Sequence, residues 1–529
     1  MVDLLGTSIY PPHFLQRLHA FVSKALSGNA VHVTTIGGSV TAGLCGHGDG
    51  RSWPDYLFDY LEELFPGQVS STNGAVPGSL SSYMAACVNV HVPLVTDLVL
   101  VEYSVNDMQK THPLFMNEYR RAFERLLRKL LEYPNSPAVV LVHSYDWNGA
   151  PRGHFWSNLE REYVEFATFY DLPSLSLKAA TFRQMVAGEA GYSVTPRSDD
   201  PDGLAGESFF ADKIHPDTLT GARALGELAM HLVLKAKWEA EAAAAGREPA
   251  PRPGGSLGLG EGGGDAEQGA VVDRVLLPPP MIDGNHAAPN DRCFVGVPFQ
   301  AAVRWHEGFE WENDSKTKTK KWGYIGTKPG STLAFTFSSM ASSRPVALVA
   351  NMLGDGSDGP VVKVSGTTLK GKWNSKRTVE KEGEEEGDGV STDGDEVLVQ
   401  IVHLKSYEGM GSATVRCASG CTCKPSFVEG HQPTVGNSQL YLHDMYVTQA
   451  EACIVELVVN KAGEAGVATK VKVSGLIVCE EAGEQESAAK NAHHIDKTND
   501  NAMRGGGVAD VRGSKANKAR ATAAVRDLL

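Results

Sequence analysis

Ser39 stands in "TIGGSVTAG", two glycines after a β-branched run, and so at the tip of a tight turn that leaves a strand. A serine hydroxyl is a poor nucleophile until a base takes its proton, and a neutral imidazole does so when a carboxylate fixes its tautomer and orientation. "FFADKIHPD" supplies that pair, with Asp212 three residues before His215. "STNGAVPGSLSSY" brings Gly78, where the backbone N–H can approach a ligand closely. "VEYSVNDM" ends an apolar strand at Asn106, whose side-chain amide can donate to a developing oxyanion. Each piece alone also has a plain reading: a turn or cap serine, a surface turn, a loop glycine, a strand-end asparagine. Ser39 fits neither Gly-x-Ser-x-Gly, because Thr41 stands at the second glycine, nor a phosphate-binding loop, because no Gly-Lys-Ser/Thr follows.

The elements around these residues must bring them to one edge. "VHVTTIGG", "VTDLVLVEYS" and "PAVVLVHSY" read as strands, and "SWPDYLFDYLEELF", "NEYRRAFERLLRKLLEY" and "NLEREYVEFATFY" as helices between them. Strands apolar on both faces that alternate with helices imply a parallel sheet covered on two sides. Before them, Leu15, Leu18, Phe21 and Val22 are spaced as one face of a helix. After them, "TLTGARALGELAMHLVLKAKWEAEAAAA" reads as one long closing helix beyond Pro216. Ligand-facing loops of such a sheet lie at the carboxyl ends of its strands. There "HSYDWNGAPRGHFW" carries Tyr145, Trp147 and Trp156 as candidates to wall a pocket, and "RSDDPDGLAGESFF" is long enough to act as a lid.

Residues 1–245 therefore form one domain, 246–270 a Gly/Pro-rich linker, 271–480 a second domain, and 481–529 a disordered tail. The second domain, with "STLAFTFSS", "PVALVAN", "EVLVQIVHL", "SATVRCAS", "ACIVELVVN" and "TKVKVSGLIV", has short strands and no intervening helices, which implies an antiparallel β-sandwich. An acidic, Gly-rich insertion near 376–396 reads as a solvated loop. Trp305, Trp311 and Trp322 are expected in the sandwich core, with stacking on sugar rings as the other use of such rings.

With 42% hydrophobic and 21% charged residues the 529-residue chain reads as globular and soluble. A formal net charge of −14 argues against a nucleic-acid-binding surface. No run approaches the length of a spanning helix, and no signal peptide is visible at the N-terminus; the compartment and the oligomeric state stay open. Five of the eight cysteines, Cys417, Cys421, Cys423, Cys453 and Cys479, fall in the last quarter of the chain, where disulfides are possible. "CASGCTC" lacks the ligand spacing of a common zinc module, and His143, His154 and His231 lack partners at ligand spacing, so no metal is expected.

In their order along the chain, the four pieces resemble the sequence blocks of the SGNH (GDSL-type) hydrolase superfamily over about Val31 to Leu234. That resemblance implies a flavodoxin-like three-layer α/β/α domain, with Ser39 as nucleophile and Asp212 and His215 completing the triad. It implies an oxyanion hole made by the N–H groups of Ser39 and Gly78 and the amide of Asn106, and a reaction that needs no cofactor. The usual first block reads Gly-Asp-Ser, but here Gly38 replaces the aspartate; in the third block Ser104 replaces a glycine while Asn106 and Asp107 remain. Gly74 in "NGAVPG" is an alternative to Gly78, which matches the family spacing from Asn73 better. The implied function is a serine esterase acting on a small-molecule or glycan ester, with O-acyl groups of a carbohydrate as one substrate class. An O-acyltransferase with the same triad, or a noncatalytic glycan-binding protein, are the alternatives.

Overall fold

A computed structural model describes residues 15–43, 51–107, 113–149, 153–156, 158–200, 206–246, 277–285, 291–313, 322–340, 396–407, 409–432, 439–461 and 468–482. The Gly-rich stretch after Gly43, residues 201–205 of the lid-like segment, the linker beyond 246, the strand expected at "PVALVAN", the acidic insertion up to 395 and the tail beyond 482 lie outside the described residues.

The first half is built on five parallel strands, β1 (Val31–Gly37), β2 (Val69–Asn73), β3 (Leu98–Glu102), β4 (Ala138–His143) and β5 (Ser174–Ser176), in the order β2-β1-β3-β4-β5. This is the doubly wound order of flavodoxin-like sheets, and its switch point lies between β1 and β3. Alternate strand residues feed two cores. Leu98 and Leu100 of β3 join Val33, Val140 and Val142 against α1 (Gln16–Leu26), α3 (Trp53–Leu64) and α8 (Arg223–Ala244). Val99 and Val101 join Ile36, Val139 and Leu141 against α4 (Ser81–His91), α5 (Glu118–Leu131) and α6 (Glu160–Phe169).

Local chemistry sets the helix ends. Ser52 and Asp55 make a capping box at the start of α3, and the Asn117 side chain accepts from the N–H groups of Tyr119 and Arg120 at the start of α5. The closing helix differs from the sequence expectation: Thr218–Ala222 forms a π-turn and only Arg223–Ala244 is α-helical. A Cβ at Gly221 would lie 2.7 Å from the carbonyl oxygen of Phe209 and 2.8 Å from Pro216, so the turn is widened where it presses on the loop that carries His215.

Among the described residues the strands of the second half all pair antiparallel, with isolated parallel bridges at Ser406–His431 and Met410–Lys470. One sheet runs β13 (Ser426–Glu429), β12 (Ser412–Ser419), β15 (Cys453–Val459), β10 (Thr332–Phe337), β7 (Val303–Glu307). The other runs β14 (Gln439–Thr448), β11 (Glu396–Lys405), β16 (Val471–Ala482), β9 (Trp322–Gly326), β8 (Phe309–Asn313), with β6 (Arg292–Val295) also on β16. Their facing residues, among them Phe335, Val399, Ile401, Val415, Val455 and Leu476, form one core. Trp311 packs against it, whereas Trp305 and Trp322 are 41% and 47% exposed, so the expectation of three core tryptophans holds for one. Cys417 pairs with Cys423 and Cys421 with Cys453, while Cys479 is buried.

The halves are joined by more than the linker. Tyr83, Ala86 and Cys87 on α4 pack against Leu398, Val402, Leu442 and Ile477. Lys129 Nζ lies 3.0 Å from Asp291, and Cys87 is disulfide-bonded to Cys293, a pairing not foreseen from the spacing of the cysteines. Leu277, Met281 and Ile282 pack into the layer of α5 and α6. Among the described residues no helix is long and apolar enough to cross a membrane.

Candidate active site

At the end of β1 the chain turns abruptly into α2 (Ser39–Ala42), which begins with Ser39. The turn needs two residues without side chains. A Cβ at Gly37 would sit 2.3 Å from Thr41 Oγ1, and one at Gly38 would sit 2.2 Å from Asn106 Nδ2. The Asn106 amide therefore lies flat on the Gly38 backbone, next to Ser39. Gly38, the departure from the usual aspartate, is what leaves room for it.

Asp212 and His215 arrive from a loop between β5 and the π-turn. The loop is closed by Ala211 N–H to the His215 carbonyl (2.9 Å), Asp217 N–H to the Phe209 carbonyl (2.9 Å), and an Arg197–Asp217 ion pair at 3.0 Å. Asp212 Oδ1 accepts from the N–H groups of Ile214 (2.8 Å) and His215 (2.7 Å), leaving Oδ2 for His215 Nδ1 at 2.7 Å. His215 Nε2 lies 2.8 Å from Ser39 Oγ. With Nδ1 bound to a carboxylate, Nε2 of the neutral ring is the acceptor and Ser39 the donor. Burial by itself pushes the Asp212 carboxyl up, but the hydrogen bonds from the His215 ring and from the two N–H groups outweigh it and hold it at about 2. The carboxylate stays ionised through the whole working range of an imidazole.

The candidate oxyanion donors come from the next two strand ends. Gly78 follows β2 with φ +74°, and no partner for its N–H occurs among the described residues. Gly74 is committed elsewhere: its N–H donates to the Thr35 carbonyl (2.9 Å), and a Cβ there would lie 2.3 Å from the His91 carbonyl oxygen. Asn106 follows β3, its backbone held by N–H donation to the Tyr103 carbonyl at 3.1 Å. Asp107 beside it accepts from the Ser81 N–H (2.8 Å), the Ser81 hydroxyl and the Tyr163 hydroxyl, fastening the end of β3 to the start of α4. Ser39, Gly78 and Asn106 thus follow the carboxyl ends of β1, β2 and β3, and the loop after the helix Leu177–Ala187 brings Asp212 and His215 to Ser39.

Sequence reasoning missed two buried carboxyls beside this constellation. Burial pushes Glu102, at the end of β3, up to about 7 against hydrogen bonds from Ser144 and Thr41. Burial likewise lifts Asp146, beyond β4, to about 6. A lone acid closing the apolar run "LVLVE" was the visible signal for the first. Of the proposed pocket wall, Tyr145 is buried and donates to the His154 carbonyl (3.2 Å), and Trp147 packs on Phe182 with ring centroids 5.5 Å apart. Trp156 and its neighbour Phe155 are the rings exposed there.

The α/β half is a hydrolase domain of the class that acts on ester bonds. Its family is carried by the sequence itself: residues 35–219 match the family model of the GDSL-like Lipase/Acylhydrolase family, and this part of the chain is a GDSL-like, SGNH-type domain. A comparison with curated proteins gives no match. Among solved structures, a two-domain esterase (CEX) active on acetylated mannans is similar at 16% identity and a TM-score of 0.53, covering 88% of this chain and 96% of that one. The same esterase co-crystallised with mannopentaose aligns at a TM-score of 0.52, covering 89% and 96%. At this identity the likeness is one of fold, and it extends over both halves.

Proposed function

We propose that the protein is a serine esterase that hydrolyses carboxylic esters through an acyl-enzyme on Ser39. The observation that carries this reading is the continuous relay Ser39 Oγ, His215 Nε2, His215 Nδ1, Asp212 Oδ2, with separations of 2.8 and 2.7 Å. His215 takes the Ser39 proton as Oγ attacks the ester carbonyl. The tetrahedral oxyanion is held by the N–H groups of Ser39 and Gly78 and the Asn106 amide, and collapse expels the alcohol with the proton from His215. Water, deprotonated by His215, then releases the carboxylic acid and regenerates Ser39.

The alcohol side of the substrate is a carbohydrate bearing O-acyl groups. Support comes from the two-domain likeness to an esterase active on acetylated mannans and from the exposed Trp156 and Phe155 beyond β4. Rings of this kind offer a face to a sugar. The test is hydrolysis of p-nitrophenyl acetate and release of acetic acid from acetylated mannan by the wild type and Ser39→Ala, with fluorophosphonate labelling of Ser39. The reading requires both activities and the label in the wild type and their loss in Ser39→Ala. Undiminished turnover by Ser39→Ala rejects the mechanism, and esterase activity without acetate release from the polysaccharide rejects the substrate class. Acyl transfer to an added sugar in excess of hydrolysis would instead identify a transferase.

A further inference from the structure

Glu102 is fully buried at the end of β3, directly beneath the turn that carries Ser39. Thr41 Oγ1, two residues after Ser39 in α2, donates to Glu102 Oε2 at 3.1 Å and accepts from Trp53 Nε1 at 3.2 Å. From the other side Ser144 Oγ, just beyond β4, donates to Glu102 Oε1. The Thr41 carbonyl is held in turn by Asn73 Nδ2 at 2.8 Å, from the end of β2. The four-residue nucleophile helix, too short to hold itself, is thus tied to its surroundings through Thr41, and Glu102 is the group on which the side-chain ties converge.

We propose that Glu102 is a positioning residue for acyl transfer: as a carboxylate it anchors Thr41 and Ser144 and thereby fixes the orientation of Ser39 toward His215. The inference rests on Ser39 being the nucleophile. A hydroxyl has one proton to give. With Glu102 ionised, Thr41 and Ser144 each give theirs to it, the Trp53 N–H goes to Thr41, and every group is satisfied. A protonated Glu102 must donate to one of these hydroxyls, whose own proton then loses its acceptor in a site from which water is excluded, Thr41 being 0% and Ser144 1% exposed. The charged and titratable groups facing Glu102 are His215 from the triad loop and Tyr103 and Asp107 from its own strand end. Burial opposes the ionised form and these hydroxyl bonds favour it, which sets the change of state near neutrality, at about 7.

The test uses the full chain. In protein labelled with 15N-tryptophan, the Trp53 indole N–H resonance, assigned with Trp53→Phe, should move with a midpoint near pH 7 in the wild type and not in Glu102→Gln. At pH 8, Glu102→Gln should lower kcat on p-nitrophenyl acetate by about ten- to a hundredfold with KM changed less than about twofold, the scale of loss expected when a reacting group is misplaced but binding is intact. Thr41→Val should lower kcat in the same way and Thr41→Ser should preserve it. A folded Glu102→Gln with wild-type kcat and a titrating Trp53 signal overturns the proposal. If Glu102→Gln does not fold, equal kcat in Thr41→Val and Thr41→Ser overturns it as well. Activity persisting in Ser39→Ala would reject the nucleophile assignment instead, and the Trp53 titration would stand apart from that failure.

Discussion

Adding one methyl group at Gly38 should disable the proposed oxyanion hole without touching the proposed triad. In Gly38→Ala the new Cβ would fall 2.2 Å from Asn106 Nδ2 and 2.4 Å from both Cγ and Oδ1, distances at which something must move. What moves is the far end of the Asn106 side chain, since its backbone is tied to Tyr103 and the β1–α2 turn is tied by Thr41. The fold should survive, and the amide should leave its place beside Ser39. Loss of one oxyanion donor costs ~2.7–4 kcal/mol of transition-state stabilisation, or a fall of about 10²–10³ in kcat. Asn106→Ala should give a fall of the same size, because it removes the same amide. The decisive measurement is the double variant. Gly38→Ala added to Asn106→Ala should cost almost nothing more, since the atoms that would collide are gone, so the coupling free energy should nearly equal the smaller single effect. Steady-state hydrolysis of p-nitrophenyl acetate by the four proteins, with thermal melts to confirm folding, measures it. Undiminished kcat in Gly38→Ala, or fully additive losses, would refute the argument.

Three further outcomes follow from the buried contacts. Arg197→Ala strands the Asp217 carboxylate, 1% exposed, without its cation and should destabilise the protein by about 3 kcal/mol, read as a lower denaturant midpoint; an unchanged midpoint would show that the triad loop is held otherwise. Glu102 binds its proton more tightly in the fold than in the unfolded chain, about 7 against 4.5, so the stability it lends is present below about pH 4.5 and is lost as the pH rises through 7. Urea midpoints of the wild type should therefore fall relative to Glu102→Gln between pH 5 and 8, and parallel curves would contradict this. Cys87→Ser with Cys293→Ser should lower the melting temperature, since the bond closes a separation of 206 residues and such a loop is worth about 5 kcal/mol in the unfolded chain. Equal melts of this variant and the wild type would show that the unfolded state is not constrained by it.

β1, β3 and β4 were legible because they are apolar on both faces and alternate with helices whose apolar stripes are clear, as Phe123, Leu126, Leu127 and Leu130 are on α5, whereas β2 (Val-Ser-Ser-Thr-Asn) and β5 (Ser-Leu-Ser) carry no such run. The triad candidates were legible because Asp212 and His215 sit three apart on one short loop and the strand-end residues carry distinctive side chains. What the sequence hid are relations between distant positions. Nothing in "GGSV" announces that Gly38 must clear Asn106, because that need arises only when β1 and β3 become neighbours. The π-turn at Thr218–Ala222 likewise comes from contact with Phe209 and Pro216, which no helical periodicity records. Exposure of Trp305 and Trp322 depends on register at the edge strand β7 and at β9, the strand next to the edge, and the pairing of Cys293 with Cys87 depends on how the two halves pack.

The bond between Cys87 and Cys293 changes what the intervening peptide is for. Once it has formed, the two halves are one covalent body whether or not the chain is continuous between 247 and 276, so a cut placed there would leave a single species on a non-reducing gel and two fragments after reduction. A substitution on the α4 face at Tyr83 or Ala86 would be felt in both halves at once. α4 starts at Ser81, three residues after Gly78 and bonded to Asp107, so α4 links the seam between the halves to the site.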